Sequence, residues 1–114
     1  MAIKPSTTDL ERAWKERCER GTFSPAVQGI GQIRVMGRSG DAALQFPRIA
    51  SLAALTELEP DEQYAVLAVQ RVVEQAQEQH RTVFAVAPGQ QPERLTAFKP
   101  DAESLMVVAR VAGG

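Results

Sequence analysis

The chain has one histidine and one cysteine, His80 and Cys18, and they fall on separate predicted helices. A structural zinc site takes four nitrogen or sulfur donors, and a catalytic one takes three. These two residues do not make a metal centre. A Ser-His-Asp arrangement would have to use His80, and no nucleophile-elbow turn accompanies it. Gly29-Ile30-Gly31 lacks the rest of a dinucleotide-binding fingerprint. The turn amides of Gly37-Arg38-Ser39-Gly40 could receive an anion, but a plain hairpin turn is the simpler reading. The carboxylates lie on predicted solvated faces, with no pair set for acid–base work. The expectation is a non-enzyme with no metal and no cofactor.

The remaining chemistry lies in Arg110-Val111-Ala112-Gly113-Gly114. Two glycines carry no Cβ, so a segment ending in them can thread a narrow channel in extended form. Its carboxylate can be activated as an adenylate and passed on as a thioester, thiocarboxylate or amide. A partner enzyme would do that chemistry. Gly113 and Gly114 are therefore the expected activation or conjugation tail.

Composition narrows the setting. The chain has 114 residues, 44% hydrophobic and 24% charged, with a net charge of −1. That is ordinary for one globular domain. A near-neutral chain with 5% aromatics lacks the footprint of a nucleic-acid binder. No apolar run approaches the ~20 residues of a membrane helix. A single cysteine suits a reducing compartment. The expected location is cytoplasmic, with no membrane partner.

Residues 1–7 read as an arm, followed by one domain over 8–114. Thr8 and Glu11 have capping-box spacing for a helix over 8–20. Leu10, Ala13, Trp14 and Cys18 share its apolar face, and Gly21 ends it. Cys18 reads as a residue of that buried face. Residues 22–32 read as a loop, Ile33 to Val35 as a strand, Gly37 to Asp41 as a turn, and Ala42 to Phe46 as a return strand ended by Pro47. Ile49, Leu52, Leu55 and Leu58 suggest a helical turn or packed loop. A long helix is predicted from Asp61 to His80, with Pro60 at its start. Its expected apolar stripe is Ala65, Ala68, Val69, Val72 and Ala76, with Leu67 and Val73 beside it. His80 is expected near its C-terminal end. Thr82 to Ala87, Arg94 to Phe98 and Leu105 to Val111 read as strands. The predicted fold class is α+β: a small mixed sheet of about five strands over 32–112, one long packed helix, and the N-terminal helix.

The order β-β-α-β-β followed by a diglycine resembles the ubiquitin-like β-grasp proteins, which include the sulfur carriers of molybdopterin and thiamine synthesis. Val111-Ala112-Gly113-Gly114 is similar to the ending of the molybdopterin-synthase small subunit, although Ala109-Arg110 replaces the proline pair common before that tail. The resemblance implies a β-grasp-like fold and a non-enzymatic carrier or modifier whose partner is an activating enzyme. A second resemblance runs through Gly40-Asp41, the long helix, Phe98-Lys99-Pro100-Asp101-Ala102-Glu103 and the diglycine. It is to small uncharacterised tailed-phage and metagenomic proteins. It implies a structural or assembly subunit within a virion and allows a homo-oligomer. That subunit would dock through the N-terminal helix and the final strand, with Leu10, Trp14, Leu105, Val107 and Arg110 as interface candidates.

Overall fold

The computed structural model describes residues 6–37 and 40–108. Helix α1 spans Thr7–Arg20. Its cap is Ser6, not Thr8. The Asp9 amide donates to Ser6 Oγ at 3.2 Å, and the Ser6 amide donates back to Asp9 Oδ2 at 3.3 Å. An N-cap needs extended backbone, which Ser6 has and Thr8, already inside the helix, does not. Gly21 closes the helix in the left-handed region at φ 71°, and its amide donates to the Arg17 carbonyl.

Strands β1 (Gly29–Gly37) and β2 (Gly40–Arg48) form an antiparallel hairpin with register from Gly29↔Arg48 to Gly37↔Gly40. Both are longer than the sequence suggests, and Pro47 lies within β2 instead of ending it. The Gln32 amide donates to Glu103 on the β5 side, while the Gln45 carbonyl accepts from Trp14 outside the sheet. The alternation of an antiparallel pair then aims the odd-numbered amides of β2 away from β1. Position 47 needs no ladder donor, so proline fits there on an edge strand.

A 3-10 helix, Leu52–Glu57, leads into helix α2, Pro60–Glu78, with Pro60 in its first turn. Strands β3 (Thr82–Val86), β4 (Glu93–Leu95) and β5 (Ser104–Val108) complete the sheet. The order is β2-β1-β5-β3-β4, with β1 and β5 parallel and every other neighbouring pair antiparallel. The fold is thus α+β and β-grasp-like: a five-stranded mixed sheet, one long helix packed against it, and an added N-terminal helix.

Two apolar clusters hold these elements. Ile33, Phe46, Val69, Val73, Val83, Leu105 and Val107 lie between α2 and the sheet. Ile49, Leu58 and Val66 form a second cluster at the α2 N-terminal end, flanked by the 3-10 helix. The buried stripe of α2 is Ala65, Val66, Val69, Val73 and Ala76. This corrects the expected face: Val72 is half-buried at its margin and Leu67 is 48% exposed. The rotation follows from Asp61 and Glu62, which the helix also turns inward.

Candidate functional site

Side chains alternate across a strand, so residues opposite one another in register share a face. Ile33, Phe46, Val83, Leu105 and Val107 point toward α2 and are buried. Their alternates face away. Across this second face runs the row Ala43–Arg34–Met106–Phe84–Arg94, one residue from each strand. No described helix packs on it. Arg34 and Arg94 are exposed, and neither has an ion-pair partner among the described residues. Three inter-strand spacings separate them, about 14 Å. Between them Met106 and Phe84 are half-buried, with Val86, Val108 and the 40%-exposed Met36 alongside. The face is an apolar centre with a guanidinium on either side.

At one pole of this face β5 reaches its last described residue, Val108, between Thr82 of β3 and the end of β1. Helix α2 ends at the same pole. The His80 amide donates to Gln77 O at 3.1 Å and the Arg81 amide to Ala76 O at 2.8 Å, the two bonds of a Schellman cap. His80 sits in the left-handed position at φ 59°. Arg81 Nη2 donates to the Met36 carbonyl at 2.9 Å, tying the residue before β3 to β1.

Two carboxylates expected on a solvated face are instead buried. Asp61 receives a two-pronged contact from Arg17, Nε to Oδ2 at 2.7 Å and Nη2 to Oδ1 at 3.0 Å. That hydrogen bond is the main reason the Arg17 guanidinium holds its proton more tightly than usual. Glu62 accepts from the Ser24 amide at 2.9 Å, from the Ser24 hydroxyl, and from the Glu59 amide at 2.9 Å. Every buried polar side-chain atom among the described residues has a partner. The cluster pins α1 and the following loop to the start of α2, leaving no idle acid or base. Alternation within each strand is legible in the sequence, but only the register between strands brings the residues of the open face together. The buried carboxylates carry no such sign, because Asp61 and Glu62 also suit the exposed start of a helix.

The expected interface residues fall differently. Leu10 is half-buried. Trp14 is 8% exposed, its indole donating to Gln45 O at 3.1 Å and its ring tilted against Phe23. Leu105 and Val107 are fully buried, and β5 is internal to the sheet. The final strand therefore has no open edge to offer another chain, and its inward side chains are already taken by the core. Arg110, Gly113 and Gly114 lie outside the described residues. Burial, then nearby Asp61, pushes the Cys18 thiol up from its ordinary range, away from thiolate reactivity. Cys18, Trp14, Leu44, Tyr64 and Ala68 line an open cleft of about 1030 Å³ between α1, α2 and the β2 edge. No group of three or more potential metal ligands occurs among the described residues, and no described helix is long and apolar enough to cross a membrane. Comparison with protein-family models, curated proteins and solved structures finds no match.

Proposed function

We propose that this chain is a non-enzymatic carrier or modifier, used by a protein partner that activates the carboxylate of Gly114. The observation that carries the reading is the central position of β5. β5 is hydrogen bonded on both sides, so the diglycine that follows it in sequence has a rigid strand at the middle of the sheet as its origin. A tail that must reach a distant catalytic centre benefits from such an origin, because a fixed base reduces the entropy lost on docking. The open face adjoins it and offers the partner an apolar centre, Met106 and Phe84, between Arg34 and Arg94. A complementary surface would present apolar side chains flanked by carboxylates.

The reaction is acyl activation. The Gly114 carboxylate oxygen attacks the α-phosphorus of ATP, pyrophosphate leaves, and an acyl adenylate forms. A nucleophile then displaces AMP. Hydroxylamine added to the chain with ATP, Mg²⁺ and extract of its source cells would trap that intermediate as a hydroxamate. The expected result is an ATP-dependent hydroxamate at Gly114, absent when Gly114 is deleted and reduced by Arg34→Glu or Phe84→Ala. A chain that stays a free acid under these conditions, or that continues beyond Gly114 in the cell, contradicts the reading.

A second reading, a structural subunit, draws on the β2 edge. That strand is nine residues long and uncharged over Ala42-Ala43-Leu44-Gln45, with Leu44 45% exposed. Edges of this kind pair with other chains unless protected, and here α1 occupies the Gln45 carbonyl through the Trp14 indole. Concentration-dependent assembly lost in Leu44→Lys would favour it over the carrier.

A further inference from the structure

We infer that the outer edge of β2 is a pairing surface for a second copy of this chain, and that α1 holds it closed through Trp14. The inference rests on the structural-subunit reading for its use and is independent of the carrier reading.

The hydrogen-bond pattern shows which groups β2 turns outward. The Gln32 amide donates to Glu103 O on the β5 side, and Gln32 stands opposite Gln45. Bonded and non-bonded positions alternate along an antiparallel pair. Gln45 and Ala43 therefore direct their amides and carbonyls away from β1, and β2 is an end strand of the described sheet. Pro47 has no amide, which bounds the useful edge on that side. A strand pairs with its own copy in antiparallel fashion about a two-fold axis. An axis through Leu44 sets Ala43 of each copy opposite Gln45 of the other. Each Ala43 amide then donates to the other copy's Gln45 carbonyl, and each Gln45 amide to the other copy's Ala43 carbonyl. The same axis lays the exposed Leu44 against Leu44 of the second copy. No charge falls within Ala42-Ala43-Leu44-Gln45 to oppose that approach.

Trp14 stands in the way. Its indole N–H donates at 3.1 Å to the Gln45 carbonyl, the acceptor that such pairing needs. Helices α1 and α2 also line the cleft beside Ala43 and Leu44, the space a second strand would enter. Yet α1 is lightly held. Trp14 is its single buried residue, and its other ties include the Arg17–Asp61 contact and a hydrogen bond from the Tyr64 hydroxyl to Glu11 at 2.8 Å. A helix held this way can leave the edge without opening the core between α2 and the sheet.

The test is sedimentation equilibrium over a concentration series on the parent, Trp14→Phe and Trp14→Ala, each with and without Leu44→Lys. Trp14→Phe keeps an aromatic ring against Phe23 and removes only the indole donor. The parent should stay monomeric. Both variants should dimerise, with the monomer–dimer dissociation constant lowered by about tenfold or more, and Leu44→Lys should abolish the dimer. Cross-linking reads the register, in a Trp14→Phe chain that also carries Cys18→Ala. Residues opposed at a non-hydrogen-bonded position lie about 4.5 Å apart between Cα atoms, within disulfide range. Leu44→Cys should therefore give covalent dimers under oxidised glutathione, and Gln45→Cys should not. Trp14 variants that stay monomeric, or that associate regardless of Leu44→Lys, overturn the inference. A parent that assembles without any Trp14 substitution also overturns it, while leaving the structural-subunit reading in place.

Discussion

Glu62 is fully buried and its two oxygens serve Ser24 and the amide of Glu59. Replacing it with alanine leaves those donors unpartnered in the interior, each at a penalty of ~1–3 kcal/mol. Glu62→Ala should therefore lose ~3 kcal/mol or more in urea unfolding, with Glu62→Gln in between. A Glu62→Ala variant as stable as the parent would show that the cluster does not hold α1 in place. His80 offers the opposite sign. It occupies a left-handed cap position that favours glycine. His80→Gly should raise stability by ~0.5–1 kcal/mol, read as an increased urea midpoint at unchanged slope. The alkaline limb of stability follows from two other residues. Burial raises the Cys18 thiol above its ordinary 9.0, and burial with the hydrogen bond to Glu11 raises Tyr64 above its ordinary 10.0. A group that holds its proton more tightly when folded stabilises the fold below its unfolded value and loses that effect as pH rises through its folded value. Stability should fall above about pH 9, and Cys18→Ala with Tyr64→Phe should flatten that fall.

Among the elements, α2 shows how far periodicity reaches. Pro60 with the acidic first turn marks its start, and the apolar spacing marks its length. The buried face is turned from the expected one because Asp61 and Glu62 enter the interior with their partners, and charge patterning cannot announce a carboxylate satisfied by residues 38 and 44 positions away. Val73, fully buried, should respond to alanine by ~1–2 kcal/mol or more, whereas exposed Leu67→Ala should change stability by under ~0.5 kcal/mol, read by thermal or urea unfolding. Equal losses would place the stripe where the sequence alone suggests it. Strand β1 carries a similar lesson. Its glycines look like loop punctuation, yet Gly31 is buried in the ladder because a Cβ there would stand 2.7 Å from the Ala102 carbonyl and 2.5 Å from the Phe46 ring. Gly31→Ala must displace that ring. It should destabilise by ~1–3 kcal/mol, more than an ordinary strand glycine would.

At the scale of the whole molecule, the element list was readable from residue types: Val, Ile and Thr in the strands, Ala and Gln in the helix, glycine and proline between. The order of strands was not. Leu105 to Val108 is apolar on both faces, which fits a central strand as well as an edge hidden under a partner, and only the pairing with β1 and β3 decides between them. The open face escaped notice for the same reason, since Arg34, Phe84, Met106 and Arg94 are far apart in sequence and meet only through register. With β5 internal, Leu105 and Val107 belong to the core, and the account of function passes to Gly113-Gly114. The most direct measurement is the intact mass of the N-terminally tagged chain recovered from its source cells under conditions that preserve thioesters and thiocarboxylates. The account predicts a population modified at Gly114, by exchange of oxygen for sulfur or by linkage to another molecule, that vanishes on deletion of Gly114. A chain recovered wholly as the unmodified acid, with or without Gly114, would contradict it.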